Sequence, residues 1–216
     1  MALKKYDNLP NFFEINHPII KHKLSLLRDK NTHCKLFKEL SAEIALLVGY
    51  EATKNLALKI GSIETPLEVF DAPVLDNRQF VIMPVLRAGL GMVDGLLNLL
   101  PMANVAHVGI YRDEKTLEAK EYYFNLPPNC KDALFFICDP MLATGGTACA
   151  SIKRLKEQNI KNIIFLCLVA APEGVRKTIA QHPDVKIYSA ILDRELNDKG
   201  YILPGLGDAG DRLWGK

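Results

Sequence analysis

No pair of cysteines in this chain stands at the spacing that a disulfide framework or a zinc site requires. The five thiols, Cys34, Cys130, Cys138, Cys149 and Cys167, are odd in number and widely separated, which argues for reduced side chains in a protein without cross-links. Cys138 and Cys167 lie inside apolar runs and read as small core residues. The histidines, His17, His22, His33, His107 and His182, also lack metal-ligand spacing and suit surface or capping roles. An excess of one charge is missing too. With 27 basic against 25 acidic residues the formal net charge is +2, which leaves no electrostatic footprint for nucleic acid or a membrane surface. The longest apolar stretch, residues 163–172, falls well short of the roughly 20 residues that a spanning helix needs. Met1-Ala2-Leu3-Lys4-Lys5-Tyr6-Asp7 is basic with no apolar segment behind it, so no secretory signal is expected. Internal repeats, low-complexity tracts and an interdomain linker are absent as well. These absences point to a cytoplasmic protein. Its 216 residues, 49% hydrophobic and 24% charged, suit a single domain, 1–216, with a full core.

What is present starts with Leu134-Phe135-Phe136-Ile137-Cys138, an apolar run that suits a strand buried on both faces of a parallel sheet. Asp139 follows at its carboxyl end, where open α/β sheets bind ligands. Pro140-Met141-Leu142-Ala143-Thr144-Gly145-Gly146-Thr147 then leads into a helix over 148–158. The two glycines let backbone N–H groups turn toward an anion, the hydroxyls add donors, and the helix start adds partial positive charge. There is no Lys before the hydroxyl residue, so this is not the nucleoside-triphosphate loop. One carboxylate beside one phosphate-sized loop suits a sugar phosphate, with Asp139 on ribose hydroxyls or on a magnesium ion held by them. The plainer alternative is a strand, turn and helix with no ligand.

Elsewhere the spacing predicts helices over 34–59, entered through Asn31 or Thr32, and over 89–100 and 173–181. Strands are expected over 80–85, 104–111, 133–139, 162–170 and 185–190. This alternation predicts an α/β fold, a parallel β-sheet flanked by helices on both faces. Residues 112–127 break the pattern. They form a protruding arm that reads as a lid, or else as a solvated hairpin or subunit contact, with Tyr122, Tyr123 and Phe124 available to anchor its far end. Arg87 follows the strand over 80–85 and precedes Ala88-Gly89-Leu90-Gly91. A planar cation there suits a diphosphate, and pairing with Asp94 is the alternative. Arg112, after the strand over 104–111, is placed likewise. The glycine-rich run over 202–212 reads as a turn, or as bare backbone able to pair with a small planar ring. Lys21, His22, Lys23, Arg28 and Lys30 form the only dense basic stretch and read as a solvated helix surface.

Four ordered segments resemble the uracil phosphoribosyltransferase family. They are Asp139-Pro140-Met141-Leu142-Ala143-Thr144-Gly145-Gly146-Thr147, Pro84-Val85-Leu86-Arg87-Ala88-Gly89-Leu90-Gly91-Met92, Tyr111-Arg112-Asp113-Glu114-Lys115-Thr116-Leu117, and Gly200 to Arg212 in the run Tyr201-Ile202-Leu203-Pro204-Gly205-Leu206-Gly207-Asp208-Ala209-Gly210-Asp211. The resemblance implies a type I phosphoribosyltransferase fold with an N-terminal helical segment over about 17–60, an arm over about 112–127 and a C-terminal base-binding segment over about 200–212. It implies that uracil and phosphoribosyl pyrophosphate become UMP and pyrophosphate, with Mg2+ held mainly by substrate rather than by protein side chains. It assigns Arg87, Asp139 and Asp208 to catalysis, and Arg87, Arg112, residues 139–147 and Asp208 to phosphoribosyl pyrophosphate. Ile202, Gly207, Asp208 and Ala209 fall to uracil. A homo-oligomer and a nucleotide activator such as GTP belong to the same expectation. Cys138 and Ala143 stand where other phosphoribosyltransferases carry further acids, so no carboxylate of this loop can act as base. Two departures, Lys38 and the ending Trp214-Gly215-Lys216, are expected to lie away from the chemistry. A pyrimidine regulator that binds RNA on the same fold, or a transferase for another base, remains an alternative.

Overall fold

The computed structural model describes residues 2–76, 79–112 and 119–215. It opens with two antiparallel strands that the sequence does not announce, β1 (Ala2–Tyr6) and β2 (Leu9–Asn16). Phe12 and Ile15 of β2 are fully buried. Two helices follow, α1 (Pro18–Arg28) and α2 (Cys34–Thr53). The helical segment expected over 17–60 is therefore divided and ends early, because Leu58 starts a strand. Both helices begin on a histidine. His17 Nδ1 accepts from the Ile19 amide at 3.2 Å, and His33 Nδ1 accepts from the Leu36 amide at 3.3 Å. His33, rather than Asn31 or Thr32, caps α2, since an unprotonated ring nitrogen satisfies an orphan amide as an oxygen would. Next, β3 (Leu58–Glu64) and β4 (Val69–Leu75) form a separate antiparallel hairpin.

The strands and helices expected beyond it are present, together with the unexpected strands β8 and β10: β5 (Phe80–Leu86), α3 (Leu90–Leu99), β6 (Asn104–Val105), β7 (His107–Arg112), β8 (Ala119–Asn125), β9 (Leu134–Cys138), β10 (Met141–Leu142), α4 (Gly146–Glu157), β11 (Ile163–Ala170), α5 (Pro172–Gln181) and β12 (Lys186–Leu192). The strand expected over 104–111 is split at Ala106. The ten-stranded sheet runs β1-β2-β12-β11-β9-β5-β7-β8, with β10 beside β11 and β6 beside β5. From β2 to β7 its pairings are parallel, and the edge strands β1 and β8 are antiparallel. Apolar residues fill both faces, which is why the central strands read as continuous hydrophobic runs. Phe80, Ile82, Phe136 and Leu166 pack with α2 and α3; Val81, Met83, Phe135 and Phe165 pack with α4 and α5. A short hairpin of β13 (Glu195–Leu196) and β14 (Ile202–Leu203) and a last helix, α6 (Ala209–Trp214), complete the chain. Among the described residues no helix is long and apolar enough to cross a membrane.

The path sets the site. From β5 the chain moves to β7 on one side, then returns to β9 on the other side of β5 and continues through β11 to β12. Strand order thus reverses between β5 and β9, and a crevice opens beyond their carboxyl ends.

Candidate active site

Asp139 leaves the end of β9 into that crevice. Its Oδ1 accepts from the Met141 amide at 3.3 Å, which bends the chain back so that Met141 and Leu142 pair with Val169 and Ala170 of β11. Burial pushes the Asp139 carboxyl up to about 7, and only the Met141 amide opposes that shift. No cation pairs with it among the described residues. The same burial raises the Cys138 thiol, so Cys138 is an inert core group, as is the fully buried Cys167.

The loop is seated before it is exposed. The Pro140 carbonyl accepts from the Leu168 and Val169 amides, and the Leu142 carbonyl accepts from the Ala171 amide at 2.9 Å. Pro140 and Leu142 are buried and Met141 is half-buried, so what these residues offer a ligand is backbone. Gly145 turns with φ of 76°, a region that costs glycine little. At Gly174, on the first turn of α5, a Cβ would lie 2.2 Å from the Ala143 carbonyl oxygen; α5 therefore presses directly on the loop. A small cavity of about 70 Å³ fills the bend, lined by Asp139 and residues 141–148. Thr144, Gly145, Gly146 and Thr147 surround the start of α4, where free amides and the helix dipole favour an anion.

Beside it, Arg87 follows a cis Leu86–Arg87 peptide at the end of β5. Gly89 donates to the Val85 carbonyl at 2.8 Å, and a Cβ at Gly89 would sit 2.4 Å from the Cys138 carbonyl oxygen. The turn after β5 is thereby pushed onto the end of β9, which sets the Arg87 loop next to Asp139. Arg87 is exposed. Among the described residues it makes no ion pair with Asp94. The two departures noted above meet beside the Arg87 loop: Lys38 Nζ lies 4.5 Å from the Trp214 ring, and Trp214 Nε1 donates to the Arg87 carbonyl at 3.3 Å.

The C-terminal segment crosses the same crevice. Gly200, Gly205 and Gly207 take φ of 80°, 60° and 79°, and Leu203–Pro204 is cis. A Cβ at Gly200 would lie 3.6 Å from Thr144 Cγ2, so this segment lies against the loop over 139–147. Gly207 and Asp208 are exposed, whereas Ile202 and Ala209 are buried. Asp208 caps α6, its Oδ1 accepting from the Asp211 amide at 2.9 Å. Sequence reasoning missed what holds this segment. Arg28, taken for part of a solvated surface, is paired with the buried Asp193, and Arg212 donates to the carbonyls of Leu27, Leu206 and Asp29. Glycine spacing carries no trace of pairs such as Arg28 with Asp193 or Arg212 with Leu27, 165 and 185 positions apart.

The arm is a hairpin in its described part, with Arg112 opposite Ala119 and His107 opposite Asn125. The Arg112 side chain and residues 113–118, where the lid was expected to begin, lie outside the described residues. The far end packs on the body. Arg154 of α4 stacks 4.4 Å from the Phe124 ring and pairs with Glu121 at 3.0 Å.

Comparison with known proteins shows the family and the fold. Residues 14–216 match the family model described as uracil phosphoribosyltransferase. The chain is 52% identical over 201 residues to a protein of that name from Mesorhizobium japonicum, covering 93% of this chain and 96% of the relative. It is 53% identical over 203 residues to one so named from Alkaliphilus metalliredigens, covering 94% and 97%. Among solved structures, the AQ2163 protein from Aquifex aeolicus matches with a TM-score of 0.89 at 38% identity, over 94% of this chain and 98% of that one. An adenine phosphoribosyl transferase from Trypanosoma brucei, solved with AMP, pyrophosphate and ribose-5-phosphate, shares the fold at a TM-score of 0.58 and 14% identity, over 96% and 92%.

Proposed function

Because the chain belongs to the uracil phosphoribosyltransferase family, we propose that it joins uracil to the ribose of phosphoribosyl pyrophosphate, releasing pyrophosphate and supplying UMP by salvage. One observation carries the assignment of parts: the Arg87 loop and Asp139 stand side by side at the switch point, with a phosphate cradle at the start of α4 and a bare backbone segment across from it. In the reaction a ring nitrogen of uracil bonds to the anomeric carbon as the bond from that carbon to the diphosphate oxygen breaks. The ring proton passes to the departing diphosphate or to water. Such a step needs positioning and charge stabilisation more than a strong base. Thr144 to Thr147 hold the 5-phosphate, Asp139 the ribose hydroxyls, and Arg87 the diphosphate, joined by Arg112 and, from the C-terminal segment, Asp208. The backbone over 207–209 reads the acceptor, donor, acceptor edge of uracil above Ile202.

Magnesium fits this donor set as a passenger of the substrate. The half-buried Asp139, without a cationic partner among the described residues, is an oxygen ligand of the kind Mg2+ accepts. When bound, the ion would neutralise charge on the diphosphate, and Asp139 is the side chain that would face it.

Incubation with magnesium, phosphoribosyl pyrophosphate and each nucleobase in turn tests the reading. UMP should form from uracil, and cytosine should react worse by about 10³ or more, because its amino group would face a backbone donor that the bound ring shields from water. Comparable turnover of the two bases would refute it. The RNA-binding alternative loses ground because Arg28, one cation of the basic stretch, is paired with Asp193.

The proposal extends to a single domain in the cytoplasm that self-associates. The β3–β4 hairpin leaves Leu58, Ile60, Val69 and Phe70 exposed, and a two-stranded hairpin is marginal without a covering surface; a second copy of the chain would supply one. Sedimentation tests this. GTP as activator rests on the family likeness, and a titration of initial rates answers it.

A further inference from the structure

The segment assigned to uracil is held from behind by charges drawn from distant parts of the chain. Arg28, the last residue of α1, donates through Nη2 to Asp193 Oδ1 at 2.6 Å and through Nη1 to Asp193 Oδ2 at 2.9 Å. The same Nη1 donates to the Gly205 carbonyl at 2.7 Å, and the Gly205 amide donates to Asp193 Oδ2 at 3.0 Å. Both polar groups of this one peptide residue are therefore committed to a single ion pair. The Asp193 side chain is 3% exposed and that of Arg28 19%. The Asp193 amide is in turn bonded to the Ala170 carbonyl, at the carboxyl end of β11. One residue on, the Leu206 carbonyl accepts from Arg212 Nη1 at 2.9 Å. The exposed Gly207 and Asp208 follow directly.

Removing two charges from water is expensive, and a buried pair of this kind contributes little net stability compared with apolar packing. Its advantage is geometric. A planar guanidinium bonded to both carboxylate oxygens and to a carbonyl admits one arrangement. A run of glycines by contrast could shift to accommodate the wrong base edge. We infer that Arg28 and Asp193 are positioning residues for base recognition, which set the backbone over 205–207 before uracil arrives and touch no substrate themselves. The inference rests on the assignment of the C-terminal segment to the base.

Arg28→Lys keeps the charge and loses the fork, and Asp193→Asn keeps the shape and loses the charge. Each should raise the KM for uracil about tenfold or more and erode uracil-over-cytosine discrimination to a similar degree, while kcat and the KM for phosphoribosyl pyrophosphate stay within about threefold. A uracil KM within about threefold of the parent, or all parameters falling together with the melting temperature, would overturn the inference. Wild-type protein gives a second reading that needs no variant. The Gly205 amide, which donates to Asp193 and touches no base, should exchange as slowly without uracil as with it, and protection of that amide that arises only on uracil binding also overturns the inference. Gly207→Ala separates the two layers of argument. An unchanged uracil KM there fails the base-site assignment, whereas an effect there and none for Arg28→Lys fails the positioning role alone.

Discussion

Replacing Asp139 with asparagine tests the electrostatics of the crevice, because the carboxyl is pushed up to about 7 by burial. If ribose hydroxyls and a substrate-borne cation favour the ionised form, binding must release the proton. About one molecule in eleven is ionised at pH 6 and about ten in eleven at pH 8, so affinity for magnesium phosphoribosyl pyrophosphate should rise about tenfold across that range. Above pH 8 it should level off. The ligand's own phosphates also titrate, so the quantity to measure is the difference between the parent and Asp139→Asn, by calorimetry in two buffers of unlike ionisation enthalpy. The parent should release about half a proton more than the variant at pH 7. Stability supplies the opposite sign. A carboxyl whose pKa is raised from 3.8 to about 7 by folding leaves the fold unpenalised below pH 3.8 and costs stability progressively as pH rises toward 7. Full conversion of that shift would be about 4 kcal/mol, and the solvent contact Asp139 retains reduces it to about 1–2 kcal/mol. Asp139→Asn should then melt about 2–8 °C higher than the parent at pH 8 and no higher at pH 4. A parent whose affinity runs parallel to the variant's from pH 6 to pH 8 would refute the ionisation argument, as would tighter binding on the acid side.

Arg87→Ala should fold normally, since the side chain is exposed. Steady-state kinetics should show kcat/KM lower by about 10² or more, as leaving-group charge loses its partner; a near-parent value would remove Arg87 from the chemistry. Gly89→Ala acts through backbone. Its Cβ would meet the Cys138 carbonyl oxygen at 2.4 Å and the Val85 amide nitrogen at 2.6 Å, neither of which can rotate away, so activity should drop by about 10² and the melting temperature should fall too. Trp214→Phe removes only the donor to the Arg87 carbonyl and keeps a ring near Lys38. That bond is long and exposed, so kcat/KM should change by no more than about threefold, and a larger loss would show that α6 helps hold the Arg87 loop.

How much could be read from sequence follows from how local each cause is. Strands β5, β9 and β11 were legible because burial on both faces writes itself as unbroken apolar residues. The candidate loop from Asp139 to Thr147 was legible as a strand end, turn and helix start because its carboxylate, glycines and hydroxyls are contiguous, and Arg87 was legible as a strand-end cation because it adjoins β5. The β3–β4 hairpin was not. Leu58 and Ile60 continue the apolar content of α2, and the change from helical to alternating period spans too few residues to stand out. Asn31 or Thr32 stood ahead of His33 as the cap of α2 because a ring nitrogen is a rarer acceptor there than an oxygen.

Composition and local order thus determined the layered α/β fold and the two loops proposed to meet a phosphate and a diphosphate. Tertiary structure decided the rest: the reversal between β5 and β9 that makes one crevice of two loops, the burial that lifts the Asp139 carboxyl, and the pairing of Arg28 with Asp193 across 165 residues. Each depends on which groups are excluded from water together, and that is a property of the packed chain rather than of any segment within it.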